Sequence, residues 1–414
     1  MTDRFIDFSK AKDLNLYWVA IGLLLVALFY NLGVHPLYQE EPRRAIVALE
    51  MKINGNYISP TIQGEAYFKK PPVYNWLILV AYHIFGDYSE FAIRFFTVIS
   101  HILFGLVVYL LCRKHINRTV ALYATLVVSV SAHTFFYLSM LSEIDLFYSL
   151  ISFLSIALIY HFYRLNRYYT LFIVVYLFAG IGTLSKGLPS IIFLGISLPL
   201  FFYLQKDFKR LFTLAHVMGM LIFIFIVGGY LYLFSQENDL EELGRTLFSE
   251  STDRADAGLS AFFTHLGTFP LTVLKVLLPA SLFLPFINYS GLLNKLRENG
   301  FVWFCVIMFA ANIIIYWISP GSKARYICML TPFVSIALTY LLLMYPARLG
   351  IFRLFVLILS IVICLGVIVL PFLKGMSEIP NIIPNSIILF LASLILVIYS
   401  IRKKGFELMA LIVL

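Results

Sequence analysis

Charge is scarce in this chain. Only 13% of its 414 residues are Asp, Glu, Lys or Arg, against roughly 25% in an ordinary soluble domain. That excludes a water-facing globule of this length. Cysteine is scarcer still: Cys112, Cys305, Cys328 and Cys364 all lie in or beside apolar runs, and none forms a C-x-x-C pair. They read as inert buried thiols, not as a disulfide or zinc framework. No Gly-rich phosphate loop occurs, so a nucleotide lacks its usual cradle. Internal repeats and low-complexity tracts are absent. The N-terminus lacks a small-residue cleavage site, so the first apolar run is expected to be a retained helix.

Long apolar runs fill the space that charge vacates. The chain is 61% hydrophobic with a mean hydropathy of +0.90. A spanning helix needs about 20 apolar residues. Candidates are 16–34, 90–112, 119–137, 146–163, 169–185, 188–204, 211–235, 268–287, 301–318, 326–345, 351–372 and 385–401. Phe68 to Gly86 is shorter and broken by Pro71-Pro72, which predicts a helix lying at the interface. The fold class is therefore an all-α polytopic membrane protein of about twelve transmembrane helices. Residues 1–414 are expected to form one integral membrane domain without a soluble C-terminal domain. The apolar tail 405–414 is too short to span.

The net charge of +9 does not point to nucleic acid, because the basic residues form short clusters between apolar runs. Arg4/Lys10/Lys12, Arg113/Lys114/Arg118, Arg164/Arg167, Lys206/Lys209/Arg210, Lys295/Arg297, Arg348/Arg353 and Arg402/Lys403/Lys404 fall on alternate connections. By the positive-inside rule they mark the cytoplasmic side. The other side collects most acids and the long connections, including a first extracytoplasmic loop, 35–89, with interfacial helices, and a second large loop, 236–267. Chemistry is expected on that side.

Several polar stretches there could carry it. In Glu40-Glu41-Pro42-Arg43-Arg44, Pro42 suits a first helical turn and the acids suit its N-terminus. The alternative is a carboxylate held as a general base beside Arg43 or Arg44 for an anion. Lys69-Lys70-Pro71-Pro72 offers either snorkelling lysines or an ammonium aimed at a phosphate. Asp145 could cap the run 146–163, or join the acids of the first loop. Lys186, before Gly187, is on the side that disfavours cations and should have an anionic partner. Lys323, Arg325 and Tyr326 share a tight loop and read as an anion site. In the loop 236–267, His265 is the one metal candidate, and a lone histidine reads first as structural.

Together these stretches resemble the GT-C type polytopic glycosyltransferases, in particular the bacterial branch of the protein O-mannosyltransferase superfamily that includes lipid A aminoarabinose transferase. The resemblance rests on Glu40-Glu41-Pro42-Arg43, Glu50-Met51, Lys70-Pro71-Pro72, Ala92-Ile93-Arg94, Asp145, Lys186-Gly187, and Ser319 or Ser322 with Lys323, Arg325-Tyr326 and Pro332. Two positions depart: the first acid of the pair, Asp in the family, is Glu40, and the residue before the Lys-Pro-Pro lysine is Lys69 instead of an acid.

The resemblance implies a GT-C-like bundle in a bacterial inner membrane. It implies an inverting glycosyltransferase with its site facing the periplasm or exterior. The donor would be a polyprenyl-phosphate-linked sugar, and the acceptor an envelope lipid, glycan or protein. Glu40, Glu41 and Asp145 fall to catalysis. Arg43, Lys70, Lys186, Lys323, Arg325 and Tyr326 fall to substrate binding. No metal ligand is assigned, although a divalent metal is left open as cofactor. The alternative is a lipid-linked sugar flippase or transporter, but related halves are not visible in the sequence.

Overall fold

The computed structural model describes residues 11–252, 258–373 and 382–402. The cluster Arg4/Lys10, the charges Asp253, Arg254 and Asp256, the pair Lys403/Lys404, most of the connection 373–384 and the tail 405–414 lie outside the described residues.

Helices run in the order α1 (Ala11–Phe29), α2 (Glu41–Asn54), α3 (Val73–Phe85), α4 (Glu90–His115), α5 (Arg118–Ser129), α6 (Ala132–Phe136), α7 (Ile144–Arg164), α8 (Tyr168–Lys186) and α9 (Pro189–Leu204). They continue through α10 (Leu214–Phe234), α11 (Leu240–Thr252), α12 (Gly258–Val276), α13 (Leu292–Arg297), α14 (Gly300–Trp317), α15 (Thr331–Met344), α16 (Leu349–Val369) and α17 (Ile382–Arg402). One short hairpin, Thr61–Ile62 against Glu65–Ala66, sits between α2 and α3.

Every apolar segment expected to span is built on helix, but not all are full spans. Seven described helices (α4, α7, α8, α10, α12, α14 and α16) are long and apolar enough to cross a membrane. Arg118–Ser129 and Ala132–Met140 add an eighth if that pair, bent by 44°, is one span. The described apolar parts of α1, α9, α15 and α17 are shorter. All twelve expected spans are thus found as helices, and among the described residues up to eight have spanning length while four are shorter. The segment 268–287 is also displaced. Its helix starts at Gly258 and stops at Val276, and a 3-10 turn follows over Ala280–Phe286. Pro279 and Pro285 lack the N–H a continuing helix needs, which accounts for the break. The region 236–267 is accordingly not a plain loop: it holds α11 and the start of α12.

Helix α7 is the axis of the bundle. Two-thirds of its apolar window (67%) is buried, against 17% for α10 and 11% for α12, which face outward. The main core gathers Phe153, Phe172, Phe201, Phe304 and Phe333 from α7, α8, α9, α14 and α15. Helices α8 and α10 approach closely at Gly219, where a Cβ would stand 2.8 Å from the Phe172 carbonyl oxygen. Small residues allow such approaches between apolar helices. At the far end from the polar loops, His115 and His161 meet at 3.0 Å, and Asn299 Nδ2 donates to the His115 carbonyl at 2.9 Å. The helix ends that carry the basic clusters therefore converge.

Candidate active site

The opposite ends of the same helices bring the polar stretches together. Pro42 lies in the first turn of α2 with Glu40 at its N-cap. Pro72 is the N-cap of α3 and holds Lys70 just outside it. Glu143 is the N-cap of α7, and Asp145 lies within its first turn. Asp145 makes no capping bond, so the cap expected of it is corrected. Lys186 ends α8. Gly187, at φ 86° and ψ −142°, turns the chain straight into α9; that region is open essentially only to glycine. A 3-10 turn over Ala324–Ile327 presents Arg325 and Tyr326.

These elements surround a cavity of about 330 Å³. Glu40, Arg43, Lys70, Asp145, Lys186, Lys323, Arg325 and Tyr326 all line it. So do Arg44, Tyr67, Lys69 and Glu143. Seven cationic and three acidic side chains face one space, a formal excess of four positive charges.

Glu41 alone among the expected site residues does not line the cavity. It is fully buried, and Arg94 grips it twice, Nε to Oε1 and Nη2 to Oε2, each at 2.8 Å. Glu41 also accepts the Ser142 N–H at 2.7 Å and the Tyr38 N–H at 2.9 Å. Arg94 in turn donates to the carbonyls of Leu32, His35 and Pro36 at 2.8, 2.9 and 3.1 Å. One buried ion pair thus ties the end of α1, the start of α2, the start of α4 and the approach to α7. Residues 40 and 41 are adjacent but point apart, the first to the cavity and the second beneath it.

The cavity acids are paired. Glu40 Oε2 meets Arg43 Nη1 at 2.5 Å, half exposed. Asp145 accepts from Lys186, whose ammonium also stands 4.3 Å from the Tyr326 ring centroid. Arg325 bonds Glu143 and stands 3.6 Å from Asp145. Arg44 is buried, and its Nη1 has no hydrogen-bond partner among the described residues. A buried cationic donor without a partner is costly, and an incoming anion would satisfy it.

No three His, Cys, Asp or Glu side chains among the described residues group as a metal site. His265 does not line the cavity; its Nε2 faces the Tyr316 carbonyl at 3.1 Å and the Ser322 hydroxyl at 3.4 Å, bracing the late loop. A donor set dominated by cations suits an anion, not a divalent cation.

A second, apolar cavity of about 200 Å³ adjoins the first through Tyr67 and Lys70. Phe68, Leu184, Tyr230 and Phe234 line it, with Leu243 and Leu247 of α11 across it. Glu237 anchors this wall: Asn56 Nδ2 and the Ser59 hydroxyl donate to its carboxylate at 2.6 and 2.9 Å.

The family model for dolichyl-phosphate-mannose-protein mannosyltransferases matches residues 69–232. An uncharacterized protein of Aquifex aeolicus is 26% identical over 295 residues, 70% of this chain and 58% of that protein. The undecaprenyl phosphate-alpha-4-amino-4-deoxy-L-arabinose arabinosyl transferase 2 of Proteus mirabilis is 39% identical over 115 residues, 26% of this chain and 21% of that protein. Among solved structures, ArnT from Cupriavidus metallidurans bound to undecaprenyl phosphate superposes with a TM-score of 0.75. Identity is 20%, over 96% of this chain and 74% of that one. The chain has the ArnT-type GT-C fold. The resemblance read from the polar motifs is borne out. The matched lengths are partial: the alignments span about three-fifths of the Aquifex protein and a fifth of the arabinosyl transferase.

Glu143 and Tyr67 line the cavity without a role expected from the sequence; Lys69 joins Lys70 there, and Arg44, the more buried of the arginine pair, joins Arg43. Glu143 was signalled by its place two residues before Asp145. Burial pushes the Glu143 carboxyl up, to about 7 from an ordinary 4.5, with Asp145 adding to the rise and Arg325 opposing it. Below about 4.5 the carboxyl is neutral in both folded and unfolded states. Above that the unfolded chain ionises first, so stability falls as pH rises toward about 7. Glu143→Gln is expected to flatten the dependence of the thermal unfolding midpoint on pH across that window.

Proposed function

We propose that this ArnT-like protein is an inverting glycosyltransferase. It moves a sugar from a polyprenyl-phosphate donor to an envelope acceptor on the extracytoplasmic face. The observation that carries the reading is the pairing of a strongly cationic cavity with an apolar groove through one shared lysine, Lys70. A lipid phosphate has the same two halves. Its phosphate meets Lys70, Lys323 and Arg43 or Arg44, and its first isoprenoid units fill the groove behind Phe68. The lipid-linked donor also follows from what the arabinosyl transferase relatives are named for.

Chemistry then divides among the cavity residues. Glu40 takes the proton from the acceptor hydroxyl as its oxygen attacks the anomeric carbon. The bond from that carbon to the phosphate oxygen breaks. The leaving phosphate keeps the electron pair, and the fixed cations around it stabilise the growing charge. Asp145 holds Lys186 and Arg325 in position. Glu41 is a positioning residue: its grip on Arg94 and on the Ser142 N–H sets Glu40 against α7. The site's placement at the helix ends opposite the basic clusters supports the extracytoplasmic assignment.

A charge-assisted hydrogen bond is worth about 1.5–3 kcal/mol. Lys70→Ala is therefore expected to weaken binding of undecaprenyl phosphate by roughly 10- to 100-fold, measured by lipid titration in native mass spectrometry. Unchanged affinity would remove Lys70 from the phosphate site. The flippase alternative has no supporting observation of equal weight, since the charges that line the cavities gather at one end of the bundle.

A further inference from the structure

The cationic cavity has a neighbour on the other side of Glu40. A chamber of about 440 Å³ shares Glu40, Lys323 and Arg325 with it. The rest of the chamber's lining is Gln39, His133, Tyr137 and Ala324, and none of these carries a fixed charge. The rings of His133 and Tyr137 stack at 5.2 Å with an interplanar angle of 24°. The Tyr137 hydroxyl donates to Gln39 Oε1 at 2.6 Å. Gln39 itself stands at φ 55°, a left-handed conformation unusual for a residue with a Cβ. The His133 Nε2 is buried and has no hydrogen-bond partner among the described residues.

We infer that this chamber receives the acceptor, and that the acceptor nucleophile is a hydroxyl on an uncharged sugar ring, not a phosphate. The inference rests on the glycosyltransferase reading and adds its second substrate class. A sugar ring has a C–H face that packs on an aromatic stack and an edge of hydroxyls. Gln39 and the Tyr137 hydroxyl supply the matching polar groups. An isolated phosphate gains nothing from an aromatic face. Of the two cations it would meet, Arg325 is already engaged by Glu143 and Asp145. A carboxylate in the shared wall is also what a hydroxyl needs and a phosphate does not. In the transfer, the acceptor O–H proton goes to Glu40 and its oxygen bonds the anomeric carbon. The carbon–oxygen bond to the polyprenyl phosphate breaks toward the cationic cavity.

The test places the photo-crosslinking residue p-benzoylphenylalanine in the full chain, in its native membrane, at Tyr137 and separately at His133. The same residue at Leu247 reports the apolar groove, and at Tyr203, on the exposed far end of α9, it reports bulk lipid. After irradiation the adducts are read by mass spectrometry with and without periodate, which cleaves vicinal diols. Periodate-sensitive, sugar-bearing adducts enriched about tenfold at Tyr137 or His133 over Tyr203, a tenfold ratio being about 1.4 kcal/mol of preference, are the expected result. Sugar-free phospholipid adducts there, or none above Tyr203, overturn the inference. Polyprenyl adducts at Leu247 in that same experiment would leave the donor reading standing. Their absence at Leu247 would instead remove the donor reading, and the acceptor chamber with it.

Discussion

Glu40→Gln is expected to lower sugar transfer by about 10²–10⁴-fold, the usual contribution of a positioned general base. Binding of undecaprenyl phosphate should persist, because the amide keeps the size of the side chain and the cations remain. Glu40 is suited to the role by position. It lines both the cationic cavity and the chamber beside it, and its charged partner among the described residues, Arg43, is half exposed. Transfer kinetics and lipid titration on the same preparation separate the two effects. Full transfer by Glu40→Gln would remove the base and leave Glu40 as an orienting group at most.

Glu41→Ala should fail differently. Its carboxylate is enclosed, and its removal strands the Arg94 guanidinium in the protein interior. Breaking one side of a buried ion pair costs about 3–5 kcal/mol, and here the Ser142 and Tyr38 N–H groups lose their acceptor as well. The expected result is a large fall in the unfolding midpoint in detergent. Arg94→Ala should give a similar fall, and the double variant should lose less than the two single losses combined, since neither charge is then left alone. If Glu41→Ala kept wild-type stability and lost only activity, Glu41 would belong in the chemistry and not beneath it.

The contrast between these neighbours shows what could be read from the chain and what could not. Acids and bases flanking apolar runs stand out, which is why Glu40, Lys70, Asp145, Lys186, Lys323 and Arg325 were all visible, although they are separated by hundreds of residues. Which acid of the pair faces the cavity was not visible, because it depends on Arg94, contributed by another helix. The helical bundle was legible from hydropathy. Helix ends were less so: an apolar run continues through Leu277 to Phe286, but Pro279 stops the helix before it, and Gly258 starts that helix inside what reads as a polar loop. The chamber at His133 and Tyr137 left no trace in the sequence. Both residues sit in a span-like run and look like core aromatics until the bend after Ser129 turns them toward Glu40.

The central claim is that the cationic cavity breaks a sugar–phosphate bond. Its most direct test gives the purified full chain, in sealed vesicles with envelope lipids, a radiolabelled polyprenyl-phosphate sugar. The label is then followed on both sides of the membrane. The enzyme reading predicts that label leaves the polyprenyl phosphate for an acceptor, or slowly for water, and that Glu40→Gln suppresses this. Label that crosses the bilayer still attached to its lipid, with no bond cleaved, would contradict it.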